Sequence, residues 1–284
     1  MNKIYLGKKI YIFEKVTSTM DVSKRLISNQ VDEGTVVVSK FQTNGRGSNK
    51  REWHSEGKDA LFSLILKPDD KYINLLSVLT AFSISKVLEK FIDTEIKIKW
   101  PNDVLVGGKK ISGVLIENYI KEENYSVIGI GINVNSNHNR NNSFIYPSVS
   151  LKEVIKREIS TYELINHIIL AFENDLNDYI AGKIKISEIS NKLFGLNQKL
   201  TFRTNYKALD KKAKNSEYKI IKLNDDGTLL LDFMNFPMTS PYLQKIALAF
   251  CAKRGTTIEG NKSAKQEAHK ISALFMKKHL LDIK

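Results

Sequence analysis

The chain has 284 residues, of which 42% are hydrophobic and 26% charged, the make-up of an ordinary folded protein and not of a disordered tail or a fibre. Its single cysteine, Cys251, excludes an intramolecular disulfide framework and any multi-cysteine zinc site. The net charge of +13 is uneven: residues 1–184 carry 25 basic against 22 acidic groups, residues 185–284 carry 19 against 9, so the C-terminal part holds most of the excess.

In chain order, residues 1–16 read as one or two short strands, and Ser18-Thr19 opens a helix with Val22, Leu26 and Ile27 on one face. Lys3, Lys8, Lys9, Glu14 and Lys15 leave this start without a signal-peptide core, and apolar runs such as Val127 to Val134 fall short of the roughly 20 residues of a membrane span. A reducing, cytoplasmic setting with no membrane partner is therefore expected. Val36 to Val38 form a buried strand that enters a glycine-containing loop from Gln42 to Arg51, and Leu61 to Leu66 form another strand, ended by Pro68. The spacing of Leu75, Leu76, Leu79, Phe82, Val87 and Leu88 predicts a striped helix over about Ile73 to Phe91. Strands at Ile96 to Lys99, Ile111 to Asn118 and Val127 to Val134 follow, then a polar loop over Asn135 to Ser143 and helices at 151–157 and 161–181. Beyond Leu193 come short strands at Leu200 to Arg203, Tyr218 to Leu223 and Leu229 to Phe233, with Asn224-Asp225-Asp226-Gly227 as a hairpin turn. The chain turns helical after Pro241, and Ala264 to Leu281 reads as a basic amphipathic helix.

Three segments carry chemistry-bearing residues. In Gln42-Thr43-Asn44-Gly45-Arg46-Gly47-Ser48-Asn49-Lys50-Arg51-Glu52-Trp53, the glycines let the backbone fold around an anion, Arg46 offers a two-pronged contact to a carboxylate or phosphate, and Trp53 offers an apolar wall. A flexible basic loop is the alternative. In Lys99-Trp100-Pro101-Asn102-Asp103, a rigid turn after a strand presents Asn102 and Asp103, suited to a metal–phosphate or ribose contact. A glycine hairpin then returns through Lys110-Ile111-Ser112-Gly113-Val114-Leu115, whose lysine can neutralise charge on a transferring phosphoryl group; an exposed basic hairpin is the alternative. In Gly129-Ile130-Gly131-Ile132-Asn133-Val134-Asn135, alternating glycines bare one strand face and Asn133 shares their parity, which admits either a flat bicyclic ligand or a closely packed helix. None of the five histidines joins a ligand cluster.

The order and spacing of these segments, with Ser18-Thr19 ahead of them, resemble biotin–protein ligases over about residues 10–180, in the short form without an N-terminal DNA-binding domain. The resemblance implies an α+β fold: a mixed β-sheet with packed helices, of the class II synthetase-like biotinyl/lipoyl transferase kind. It implies a catalytic domain at 1–185, a small SH3-like β-domain at 186–238 and a basic helical extension at 239–284. The implied reaction activates biotin with ATP as biotinyl-5′-AMP and passes it to a lysine of a biotin carboxyl carrier domain of acetyl-CoA carboxylase or a related carboxylase. Lys110 and Arg46 would be catalytic, Lys110 bridging the biotin carboxylate and the α-phosphate and Arg46 closing over the adenylate. Biotin would lie among Ser18, Thr19, Gln42, Gly45, Arg46, Gly47, Lys110, Gly113, Leu115 and Gly129. ATP would meet Arg46, Ser48, Trp53, Asn102, Asp103, Lys110 and Asn133. Magnesium would arrive with ATP near Asn102 and Asp103, with no fixed protein-only metal site.

The chain departs from the family pattern in three ways. Met20 stands where the family commonly has asparagine, Ser48 replaces a second arginine after Gly-Arg-Gly, and the sequence after Phe233 does not follow the usual end of the β-domain. Losing the second arginine implies looser retention of biotinyl-AMP. Gly260 to Ala268 faintly resembles the last-helix entry of double-stranded-RNA-binding domains, although the extension is read as a basic capping helix. Lipoate–protein ligase, which shares the fold, and a nucleic-acid-binding protein on a decayed ligase scaffold are the alternatives. The Gly-Arg-Gly and Lys-Trp-Pro-Asn-Asp blocks argue against the first, and retention of Arg46, Lys110, Asn102 and Asp103 against the second. Homodimerisation through a sheet edge is left open.

Overall fold

A computed structural model describes residues 3–48, 51–54, 56–69, 71–120, 124–137, 147–201, 217–225, 227 and 229–232. The chain divides into two compact units, Met1–Phe194 and Gly195–Lys284.

The first unit is built on a seven-stranded mixed sheet. Its strands are β1 (Ile10–Val16), β2 (Val36–Gln42), β5 (Ala60–Leu66), β6 (Ile96–Lys99), β7 (Asp103–Val106), β8 (Lys109–Ile120) and β9 (Asn124–Ile132), in the order β1-β2-β5-β9-β8-β7-β6. Strands β1 and β2 run parallel and every other neighbouring pair is antiparallel. Parallel neighbours need a crossover, and helix α1 (Thr19–Ser28) supplies it. Ser18 caps this helix, its extended backbone leaving the side chain to accept the Met20 N–H, while Asp21 in the first turn and Arg25 in the last complement the helix dipole. Two further strands, β3 (Gly45–Arg46) and β4 (Glu52–Trp53), form a separate hairpin after β2.

All seven residues of β5 are buried, as a mid-sheet strand covered on both faces requires. Helix α2 (Leu76–Leu88) is shorter than the predicted span and lacks the predicted stripe, because eleven of its thirteen residues are buried. A helix so enclosed must satisfy its hydroxyls internally. Thr80, Ser83 and Ser85 do so by donating to the carbonyls of Leu76, Leu79 and Phe82. Helices α3 (Leu151–Ile155), α4 (Thr161–Ile180) and α5 (Ile186–Asn191) complete the unit. α4 is tied to α2 by the buried Asp175, which accepts from Ser83 at 2.8 Å and pairs with Lys86 at 2.5 Å. The mixed sheet with packed helices is the expected one. Strand β7 and helix α5 are additions, each too short to stand out as a periodic pattern.

In the second unit, β10 (Lys199–Thr201), β11 (Glu217–Leu223) and β12 (Leu229–Asp232) form an antiparallel sheet in that order. The expected turn is present: the Gly227 N–H donates to the Asn224 carbonyl and Gly227 takes φ +77°. Arg203, Asp226, Phe233, loop residues 138–143, Cys251, the extension 239–284 and its predicted helix Ala264 to Leu281 lie outside the described residues. Among the described residues, no helix is long and apolar enough to cross a membrane.

Candidate active site

The site begins with two bare strands. Gly113 of β8 pairs directly with Gly131 of β9, and Leu115 pairs with Gly129. The Gly113–Gly131 pair opens a two-residue gap in the side-chain layer, and glycine in a strand interior costs stability unless something approaches the backbone. Two side chains do. The Trp53 indole lies on the pair: a Cβ added at Gly131 would sit 2.5 Å from Trp53 Cε2, and one at Gly113 would sit 3.2 Å from Cζ3. Met20 of α1 covers Gly129, its Sδ standing 2.6 Å from where a Cβ would be. The glycine face therefore receives helix packing at one position and an aromatic ring at the other.

A β-bulge aims the lysine. Val104 pairs with Ser112 and Leu105 with Lys110, which leaves Ile111 as an extra residue on β8. Strict alternation would put Lys110 on the face opposite Gly113. The bulge reverses that parity, and a Cβ at Gly113 would lie 3.0 Å from Lys110 Nζ. The segment 147–149 pins the bulge, since the Lys110 N–H donates to the Pro147 carbonyl and its own carbonyl accepts from Val149. Lys110 Nζ pairs with Asp103 Oδ1 at 2.6 Å and lies 5.5 Å from the centre of the Trp53 ring.

Asn102 joins the turn before β7 to its surroundings. Its amide Nδ2 donates to Ser48 Oγ at 2.9 Å and to the Val114 carbonyl at 2.7 Å, while Val114 N–H donates to the Asn102 carbonyl. The Trp100–Pro101 peptide within this turn is cis. At the other end of the cleft, Gln42 Oε1 accepts from the Thr19 N–H at 2.7 Å and the Thr19 hydroxyl at 3.2 Å, fixing the start of α1.

Arg46 is the most heavily bonded cation of the site. Nη1 pairs with Asp21 of α1, while Nε and Nη2 reach the two oxygens of Glu117 on β8 at 3.2 and 3.3 Å, a fork-to-fork arrangement. Burial works against its charge, but the bonds and charges of Asp21 and Glu117 outweigh it and raise its pKa above the ordinary arginine value. The Tyr119 hydroxyl donates to Glu117 at 2.5 Å. Its pKa is pushed well above the ordinary tyrosine value, first by burial and then by that bond and the carboxylate's charge.

These elements line a cleft, open to solvent, with about 440 Å³ of space unfilled by atoms when the open solvent at its mouth is included. Of the expected residues, the structure brings Ser18, Thr19, Gln42, Arg46, Gly47, Ser48, Trp53, Asn102, Lys110, Gly113, Leu115 and Gly129 to its walls. Gly45 stands just behind, where a Cβ would meet the Trp53 carbonyl at 2.5 Å. Asp103 meets the cleft through its pair with Lys110. Asn133 does not line it: its amide Nδ2 donates to the carbonyls of Lys110 and Val149, at 3.4 and 3.3 Å, and it buttresses the bulge. Arg46, expected to close over an adenylate, has its guanidinium committed to two carboxylates. Asp21 and Glu117 were not anticipated, although Glu117 shares the parity of Gly113 and Leu115 and so was readable as an acid on the bared face. Trp53 Nε1 is buried and meets no acceptor among the described residues, an arrangement that costs about 1–3 kcal/mol. Among the described residues, no three acidic, histidine or cysteine side chains converge to hold a metal ion.

The sequence profile of the biotin/lipoate A/B protein ligase family matches residues 12–135. A Bacillus subtilis protein named bifunctional ligase/repressor BirA is 34% identical over 236 residues, covering 80% of this chain and 70% of that one. The biotin protein ligase from Aquifex aeolicus, solved in complex with biotin and ATP, superposes with a TM-score of 0.66 at 25% identity, over 80% of this chain and 96% of that one. The Leishmania major biotin protein ligase, solved with biotinyl-5-AMP, shares the fold at 21% identity and a TM-score of 0.58, over 80% of this chain and 96% of that one. The chain belongs to the biotin/lipoate A/B protein ligase family. Within it, the chain falls with the biotin–protein ligases.

Proposed function

We propose that the chain activates biotin with ATP and transfers it to a lysine of a biotin carboxyl carrier domain, as in acetyl-CoA carboxylase or a related carboxylase, in the cytoplasm. One observation carries the reading: the bulge sets a lysine with a single counter-ion beside a glycine-bared face, where a flat ring and an acid group can lie together. In the first step a biotin carboxylate oxygen attacks the α-phosphorus and the bond to pyrophosphate breaks. In the second, a carrier lysine amine attacks the acyl carbon and AMP leaves.

Two anions meet in the first step, so a cation near both lowers the barrier. Lys110 takes that role, with Asp103 holding its ammonium beside Gly113. The backbone around Gly113 to Leu115 lines the acyl chain, while Ser18, Thr19 and Gln42 face the ureido end. Met20, buried over Gly129, makes that end less polar than the family's asparagine would. Asn102 and Ser48, bonded to each other, serve the nucleotide side. The Asp103 carboxylate and the Asn102 amide oxygen are hard donors suited to a magnesium ion that keeps most of its coordination for water and phosphate. When bound, that ion would supply further neutralisation of phosphate charge. Trp53 occupies the Gly113–Gly131 patch, so a ligand taking that patch displaces the indole.

The test is incubation of the full chain with ATP, magnesium, biotin and a biotin carrier domain, read by avidin blotting, with lipoate as competitor. Carrier labelling that lipoate does not suppress is expected. Lipoylation in place of biotinylation, or no labelling, overturns the reading.

A further inference from the structure

The hairpin β3–β4 carries Trp53 into the cleft, yet little of its own holds it there. It pairs with no strand of the seven-stranded sheet; its ladder is Gly45 opposite Trp53 and Arg46 opposite Glu52, extended by the Gly47 N–H donating to the Arg51 carbonyl, and Asn102 donates to its Ser48 hydroxyl. So short a ribbon is marginal by itself. Trp53 also leaves its Nε1–H buried without an acceptor among the described residues, which opposes the inserted position. Something outside the hairpin must offset both. Arg46, one strand across from Trp53's neighbour Glu52, reaches the first turn of α1 through Asp21 and the middle of β8 through both oxygens of Glu117. Those two anchors lie on the two elements whose residues Met20 and Gly113 form the cleft floor.

The same contacts argue against Arg46 as a receptor for the ligand's anionic groups. One guanidinium faces two carboxylates, leaving the cluster short of positive charge. An incoming carboxylate or phosphate would have to displace one of them and face the repulsion of the other. Lys110, with Asp103 alone, presents no such obstacle.

We propose that Arg46 is a positioning residue: by bonding Asp21 and Glu117 it holds the β3–β4 hairpin, and with it Trp53, against the Gly113–Gly131 patch. Its effect on the reaction rests on the ligase reading above, whereas its effect on Trp53 does not.

The experiment uses the full chain, whose two tryptophans are Trp53 and Trp100. Subtracting the emission of Trp53→Phe isolates the Trp53 signal in each background. Arg46→Ala and the double variant Asp21→Asn/Glu117→Gln are both expected to red-shift Trp53 emission and make it quenchable by acrylamide. Arg46→Lys, which keeps the charge but cannot make the forked contact, gives the same exposure in a milder background should the alanine variant fold poorly. Trp53 emission unchanged in both Arg46→Lys and the carboxylate double variant overturns the proposal.

Kinetics add a discriminating sign. If Arg46 positions, removing its carboxylate partners frees the hairpin as removing Arg46 does, and kcat/KM for biotin activation moves in the same direction in both variants. If Arg46 itself met the anionic groups, the two variants would move in opposite directions, the carboxylate double variant freeing the guanidinium and lowering KM while Arg46→Ala raises it; that outcome also overturns the proposal. A wild-type chain that activates neither biotin nor lipoate would defeat the ligase reading and leave the fluorescence result to decide the positioning role.

Discussion

The two ends of the cleft each present a cation, and the two are equally accessible: the Arg46 side chain is 31% exposed and that of Lys110 30%. Their surroundings differ. Arg46 meets two carboxylates with all three of its nitrogens, and Lys110 meets one. Availability for a ligand anion thus follows from the count of counter-ions and not from exposure. On the proposed reading the arginine braces the site while the lysine is left open to chemistry.

The largest expected effect tests that division directly. On the proposed ligase reading, Lys110→Ala removes the cation nearest the reacting groups, and loss of one such electrostatic partner costs about 10²- to 10³-fold in turnover. Pyrophosphate release with biotin and ATP measures it. A fall no larger than that of Arg46→Ala would erase the distinction between the two ends.

The floor of the cleft sharpens the comparison at a smaller scale. An alanine at Gly131 would place its Cβ 2.5 Å from the Trp53 ring, and one at Gly129 would place its Cβ 2.6 Å from Met20 Sδ. Overpacking of this kind costs about 1–3 kcal/mol, so both variants unfold at lower denaturant concentration. They differ in what moves. Gly131→Ala pushes the indole off the sheet and exposes Trp53 to acrylamide. Gly129→Ala presses on Met20, which belongs to the core cluster with Ile27, Val31, Ile65, Tyr125 and Val127, and leaves Trp53 emission in place. Equal exposure of Trp53 in the two would mean that Gly131 does not serve the ring.

Much of this was legible before any fold was known. The glycines of β8 and β9, the Lys-Trp-Pro-Asn-Asp turn and the Gly-Arg-Gly loop are local patterns, and the cleft gathers them. What the sequence could not report is the side chain that meets each one. Arg46 finds Asp21 and Glu117 across 25 and 71 residues of chain, a distance over which no periodicity carries information. Asn133 has the glycine parity, but β9 ends at Ile132 and the backbone turn sends its amide to Lys110 and Val149 instead. Lys110 reaches the bared face through a bulge at Ile111, and a single extra residue in a ladder leaves no trace in a hydrophobic pattern. Helix α2 was expected to show a stripe from the spacing of its large apolar residues; Thr80, Ser83 and Ser85 between them are buried as well and bond their own helix's carbonyls.

The smallest effect concerns the far side of the arginine end, where Tyr119 donates to Glu117. Burial, the hydrogen bond and the carboxylate's charge all hold the proton on the folded phenol, raising its pKa above that of a tyrosine in the unfolded chain. Below about pH 10 both states keep the proton and the stabilisation is whole. As pH rises past that value the unfolded chain ionises while the folded one resists, so the contribution of Tyr119 fades with increasing alkalinity. Tyr119→Phe abolishes this titration. The variant is less stable than the parent near neutrality by about 1 kcal/mol, the worth of one such bond at a partly exposed site. It loses less stability than the parent between pH 9 and about 11, just beyond the unfolded tyrosine pKa, so the two denaturation midpoints converge. Parallel midpoints across that interval would show that Glu117 does not hold the Tyr119 proton, and that the carboxylate's bonds to Arg46 stand without support from the phenol.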